Sequence, residues 1–109
     1  MLIFKNNLPV DTLDFVEVRL PAETAEEAAG LVLKVDMQYD APRMWYQADA
    51  GGKENDFVIL AIGTGHPWGD RLTKANYIGT LPLEGGMLIL HYFIVESSSL
   101  KSKGGDELS

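Results

Sequence analysis

The sequence contains no cysteine. That absence excludes a disulfide framework, a thiolate nucleophile and any cysteine-ligated zinc or cluster. It also has no apolar run of the roughly 20 residues that a membrane-spanning helix needs. The opening Met1-Leu2-Ile3-Phe4-Lys5 is too short for a secretory signal. Basic residues are scarce: nine Lys and Arg face sixteen Asp and Glu, a formal charge of −7. After Glu96 the chain carries Lys101 and Lys103 against Asp106 and Glu107, so the whole deficit sits in residues 1–96. Such a surface repels phosphate backbones, which argues against direct nucleic-acid binding and favours a partner with a basic surface. A cytoplasmic protein is expected, with no membrane contact.

What is present fits one folded unit. At 109 residues and 46% hydrophobic, the chain has the size and apolar content of a single domain. Its dominant pattern is apolar alternation with period two, the mark of half-buried strands. Val16–Leu20, Leu31–Tyr39 and Arg43–Asp49 alternate in this way. In Leu31–Tyr39 the expected inward set is Leu31, Leu33, Val35, Met37 and Tyr39, and Trp45 and Tyr46 fall on opposite faces of the next strand. Phe57–Ile62 and Met87–Val95 are apolar on both faces, as central strands are. Leu2–Lys5 and Tyr77–Leu81 complete a set of about seven. Only Glu23–Ala29, after Pro21 and before Gly30, reads as a helix, and with little but alanine on its apolar side it is expected at the surface.

The punctuation suggests an antiparallel meander. Tyr39-Asp40-Ala41-Pro42 reads as a turn, Ala50–Asn55 as a hairpin loop with Gly51 or Gly52 at positive φ, and Glu84-Gly85-Gly86 as a tight turn. The expected fold is mainly β: a small antiparallel sandwich or partly closed barrel of about seven strands with one short helix. It occupies residues 1–96, and 97–109 form a flexible Ser/Lys/Gly tail. Exposed edges in so small a domain favour a homodimer or larger homo-oligomer.

Gly63-Thr64-Gly65-His66-Pro67-Trp68-Gly69-Asp70 is the densest chemical stretch. Glycine backbone can approach an anion, histidine can titrate or donate, and tryptophan can stack. Gly63, Thr64, Gly65, His66 and Trp68 are therefore the candidate residues for a nucleotide-like ligand, with Arg71 and Lys74 as local positive charge. The dinucleotide and P-loop signatures fail: Pro67 prevents a helix from opening there, and no Gly-Lys-Ser/Thr follows. Thr64 and His66 stand at i and i+2, yet no acid is placed to orient the histidine and no Gly-x-Ser-x-Gly elbow exists. His66 and His91 are 25 residues apart in sequence with no ligand spacing between them. No metal, no cofactor and no enzymatic activity are expected. Glu23, Glu26, Glu27 and Trp45 are the candidate partner-binding residues.

Ile62-Gly63-Thr64-Gly65-His66-Pro67, then Tyr77-Ile78-Gly79-Thr80, then Gly85-Gly86-Met87-Leu88-Ile89-Leu90-His91-Tyr92-Phe93 resembles a group of small, mostly uncharacterised proteins encoded by bacteriophages and prophages. The likeness covers roughly Phe4 to Glu96; Glu23–Ala29 looks inserted relative to that group, and the tail extends beyond it. The resemblance implies a viral accessory protein that acts in a bacterial cell by binding and inhibiting or modulating a host protein, in defence or transcription. Sequestration of a small nucleotide-like signal and a role in the virion or its assembly are the alternatives.

Overall fold

The computed structural model describes residues 1–49, 51–67 and 73–99. Its strands are β1 (Leu2–Asn7), β2 (Phe15–Leu20), β3 (Val32–Gln38), β4 (Ala41–Ala48), β5 (Asn55–Gly63), β6 (Asn76–Leu83) and β7 (Leu88–Glu96). A helix α1 (Ala25–Leu31) joins β2 to β3. The strands form two antiparallel sheets, one ordered β1-β4-β3 and the other β2-β5-β7-β6. The fold is thus a mainly β sandwich, not a closed barrel.

The two strands that read as apolar on both faces, β5 and β7, occupy the centre of the larger sheet. Their inward residues Phe57, Ile59, Leu90, Tyr92 and Ile94 are fully buried and meet Leu20 and Val18 of β2, Leu81 and Leu83 of β6, and Met44 of the smaller sheet. Each such side chain removed from water contributes on the order of 1.5–3 kcal/mol. The outward residues Val58, Leu60 and Val95 form a second buried cluster, with Ala75 packed on it. The sheets also meet along β3 and β6, where Val35 occupies the space that a side chain on Gly79 would need.

Several local expectations are corrected. The hairpin expected between β4 and β5 is absent: the two strands lie in different sheets, and β5, apolar on both faces, sits between β2 and β7. Consecutive pairing survives only in β3–β4 and β6–β7. The β3–β4 turn is made by Tyr39 and Asp40, with φ of 52° and 64°, between the paired Gln38 and Ala41. That is a two-residue hairpin in which Pro42 belongs to β4. In β3 the register shifts between Val32 and Lys34, so Leu33 turns outward while Val35 and Met37 stay against the core.

Helix α1 runs through Gly30 and ends at Leu31, and Val32 leaves directly in extended conformation to pair with Tyr46. Gly30 is therefore not its terminator. Its alanines are not superficial: Ala25 and Ala28 are buried, and Ala28 joins the core cluster, while Glu26 and Glu27 face water. The helix starts at Thr24, whose Oγ1 accepts the Glu27 amide at 3.1 Å. Glu27 Oε1 in turn accepts the Glu23 amide at 2.7 Å. These are reciprocal caps for donors that the first turn leaves unpaired.

The strand β1 is the open edge of the smaller sheet: Leu2, Ile3 and Phe4 are 52%, 67% and 39% exposed. Strand β7 ends at Glu96, and Ser97–Ser99, expected in the flexible tail, are helical with Ser97 buried. Residues 100–109 of the expected tail lie outside the described residues.

Candidate functional site

Two clefts lie at opposite ends of the central strands β5 and β7. One is near Gly63, where β5 ends and β7 begins; the other is near Asn55 and Glu96, where β5 begins and β7 ends.

The first cleft has a volume of about 280 Å³ and is lined by Ile62, Gly63, Thr64, Gly65, His66, His91 and Phe93. The segment Leu8–Asp14 shapes it from behind. The Tyr92 hydroxyl donates to Pro9 O at 2.8 Å, Leu13 N donates to Ala61 O, and Gly63 N donates to Thr12 Oγ1 at 2.8 Å. The His66 ring folds back over Gly63: a Cβ added there would lie 2.5 Å from His66 Nδ1. A side chain at 63 would displace the exposed His66 ring from this position, and Gly65, at φ 87°, completes the turn.

Thr64 does not pair with His66, the neighbour at i+2. Its Oγ1 lies 2.7 Å from Nε2 of His91, on the adjacent strand. Nδ1 of His91 lies 3.0 Å from Thr80 Oγ1, which is 2.5 Å from the Tyr77 hydroxyl. Tyr77 packs edge-on against Phe93 with centroids 5.6 Å apart. A neutral imidazole carries one donor and one acceptor, so the chain Tyr77–Thr80–His91–Thr64 has a direction. Run one way, the Thr64 hydroxyl donates to His91; run the other, it accepts and is free to donate outward. Thr64 is exposed, so a ligand's hydrogen-bonding groups could select the direction. The second nitrogen of His91 meets a hydroxyl rather than a carboxylate, so this geometry is not that of an acid–imidazole–hydroxyl triad.

The second cleft consists of two recesses. One, of about 370 Å³, is lined by Glu23, Asn55, Asp56, Phe57, Glu96, Ser97 and Ser98. The other, of about 560 Å³, runs beside α1 and includes Glu23, Glu27, Leu31, Lys53 and Asn55. Glu23 and Asn55 belong to both, so the two form one groove with four carboxylates and one lysine on its walls. Asn55 Nδ2 donates to Ala22 O at 2.7 Å and fixes the approach to the helix. Asp56 pairs with Arg19 at 3.3 Å, an exposed contact of small energetic weight.

Of the residues expected at a ligand site, Gly63, Thr64, Gly65 and His66 line one cleft, while Trp68 and Arg71 lie outside the described residues. Of those expected at a partner surface, Glu23 and Glu27 line the groove and Glu26 is exposed on the same helix. Trp45 belongs elsewhere: it stands between Lys5 and Lys34 in the register of the smaller sheet, on the face opposite Tyr46. Lys5 Nζ donates to Gln38 there, and Lys34 bonds Asp36 at 3.0 Å, which holds the Asp36 carboxyl below its ordinary pKa.

Sequence reasoning missed His91 as the partner of Thr64, along with Thr80, Asp56, Glu96 and Ser97. For Thr80 a signal existed: pairing outward from the Glu84-Gly85-Gly86 turn places Thr80 opposite His91. No comparable signal exists for Asp56 and Glu96, whose strands are 24 residues apart in sequence and pair without a hairpin.

Fold and clefts together define a small antiparallel β-sandwich with one acidic groove and one hydroxyl–imidazole cleft. The chain belongs to a family described as a domain of unknown function, DUF7352, whose model matches residues 1–102. No curated protein and no solved structure matches it.

Proposed function

We propose that this chain is a non-enzymatic binding protein, a phage-type accessory protein that inhibits or modulates a host bacterial protein in the cytoplasm by engaging a basic surface on it. The observation that carries this reading is the groove beside α1, whose lining residues include Glu23, Glu27, Asp56 and Glu96 against a single lysine, Lys53. On a chain of net charge −7 such a groove draws in cationic surfaces and accelerates encounter. The phage setting rests on the sequence resemblance and the inhibitory role on analogy with other viral accessory proteins. Self-association belongs to a different surface, the apolar open edge β1.

The test is capture of the partner from bacterial extract by the wild-type chain and by Glu23→Lys/Glu26→Lys. The double variant should bind at least about tenfold more weakly; equal capture would remove this surface from consideration. Glu27 is better replaced by Gln than reversed, because its carboxylate accepts the Glu23 amide and reversal would disturb the helix start.

A second reading, small-ligand sequestration, is favoured by the cleft where Gly63–His66 meet the Thr64–His91–Thr80 chain. Thermal melting with a panel of linear and cyclic nucleotides tests it. A ligand present at 100 times its Kd adds about 2.7 kcal/mol to stability, and no shift across the panel excludes nucleotides as the cargo.

A further inference from the structure

We infer that strand β1 pairs antiparallel with β1 of a second copy of this chain, so that the three-stranded sheets of the two copies join across a two-fold axis. This goes beyond the binding reading and does not depend on it, because none of the residues lining the acidic groove belongs to β1. A strand at the margin of a sheet leaves a row of backbone N–H and C=O groups unpaired, which is a template for another strand. The two sheets have four such margins, formed by β1, β3, β2 and β6.

Three of the four carry features that oppose such pairing. In β3 the register shifts between Val32 and Lys34, and Lys34 and Asp36 form an ion pair on the strand. In β6 the register shifts between Tyr77 and Gly79, and Pro82 lacks a backbone donor. In β2 the charged Glu17 and Arg19 are exposed. Strand β1 differs from all three. It pairs with β4 in unbroken register over its six residues and contains no proline. Its one charged side chain, Lys5, reaches across β4 to donate to Gln38 of β3 at 2.9 Å. The lysine that would guard this edge is thereby drawn away from it.

The chemistry of this edge fits a copy of itself. The apolar layer of the core runs out to it: Phe4 stacks on Tyr46 with ring centroids 5.7 Å apart, and Tyr46 packs against the core. Leu2 lies on the same side of the strand as Phe4, and both remain largely exposed. Charge permits the approach. The chain carries −7, yet residues 1–10 contain one lysine and no acid, so two copies meet where their mutual repulsion is least. The neighbouring Asp49 lies 3.7 Å from the Met1 ammonium, which offsets it. A pair centred on Ile3 sets Ile3 of one copy against Ile3 of the other, and Leu2 against Phe4, so every opposed side chain is apolar. Centring on Lys5 would instead oppose two like charges.

The test is sedimentation equilibrium of the full chain over a concentration series, in which a concentration-dependent dimer is expected. Ile3→Lys places a charge at the open edge on a side chain that is 67% exposed, so the fold read by circular dichroism should be unchanged. The dimer should weaken at least about tenfold. Leu33→Lys, the matching change on the β3 edge, should leave the dimer as it was. The pairing has its own readout. The chain has no cysteine, so Ile3→Cys introduces a single thiol. Residues opposed in antiparallel strands have Cα atoms about 4.5–5.5 Å apart, within the span of a disulfide. Oxidised glutathione should therefore link Ile3→Cys into a covalent dimer and leave Leu33→Cys as monomer. A chain that stays monomeric up to about 1 mM, or equal weakening by Ile3→Lys and Leu33→Lys, would overturn the assignment. Failure of Ile3→Cys to cross-link would overturn the pairing centred on Ile3. If the wild-type chain is monomeric and Ile3→Lys loses a captured host protein, the edge takes a strand of that protein and the second copy is excluded.

Discussion

The two ends of the central strands are built differently from the same scaffold. At the Gly63 end Thr64, His91, Thr80 and Tyr77 close into one hydrogen-bonded chain, and the Gly63 amide is held by Thr12. At the Glu96 end Glu23 and Glu96 form no ion pair among the described residues, and the buried Ser97 Oγ has no hydrogen-bond partner among them. A satisfied network holds its shape without a ligand; an unsatisfied recess gains most when a ligand enters. The Glu96 end is accordingly the better candidate for a tight macromolecular contact. The Gly63 end is suited to a ligand that rewires an existing hydrogen-bond chain.

The largest effect that would break this contrast comes from Phe57→Ala. Phe57 is fully buried in the inter-sheet core and lies opposite Glu96 in the register, beside the acidic recess. Removing its ring should cost about 3–5 kcal/mol of unfolding free energy, read by urea denaturation. If the two ends are separable, amide shifts in the surviving fold should cluster around Asn55 and Glu96 and leave Thr64 and His91 in place. A variant whose hydroxyl–imidazole end also rearranges would show that the central strands couple the two clefts.

That separation could be read from the sequence only in part. Which segments are strands, and which two are central, followed from alternation and from the doubly apolar runs of β5 and β7. Which sheet each strand joins did not, because long-range pairing is set by where buried faces find complementary surface rather than by any local signal. The same limit governs the sites. Gly63–His66 were evident as a cluster because they are contiguous. The acidic recess draws Glu23, Asp56 and Glu96 from 74 positions of chain, and nothing local to any of them distinguishes it from an ordinary surface acid. The alanine face of α1 misled for a related reason: alanine is a weak apolar signal, yet its small size is what lets the helix lie close to the core.

A smaller effect tests how firmly the segment behind the Gly63 cleft is held. Burial pushes the Tyr92 hydroxyl above the ordinary tyrosine pKa, and its proton is donated to Pro9 O. A folded value above the unfolded one means that this group's stabilising contribution is full below about pH 10 and declines as the pH rises further. Ultraviolet difference absorbance should therefore show Tyr92 ionising only together with alkaline unfolding. Tyr92→Phe, about 1 kcal/mol less stable at neutral pH, should lose that component of the transition. Ionisation of Tyr92 in a protein still folded by circular dichroism would contradict the burial and the bond to Pro9.

The smallest effect is the sharpest test of the contrast, because it alters one bond while leaving the core intact. Thr80→Val keeps the shape of the β6 side chain but removes the hydroxyl shared by Tyr77 and His91 Nδ1. The site is only half-buried, so the change in stability should stay below about 1 kcal/mol. The effect on His91 should be much clearer. With Nδ1 no longer bonded to Thr80, the only hydroxyl among the described residues left to bias the tautomer is Thr64 at Nε2. The imidazole ¹⁵N shifts should then move from one dominant tautomer toward a mixture, while the amides of Asn55, Asp56 and Ser97 stay where they were. If His91 keeps the same tautomer in Thr80→Val, the Tyr77–Thr80 arm does not set the direction of the chain. Thr64 would then be an ordinary surface hydroxyl, and the acidic groove would be the one functional cleft that this scaffold presents among its described residues.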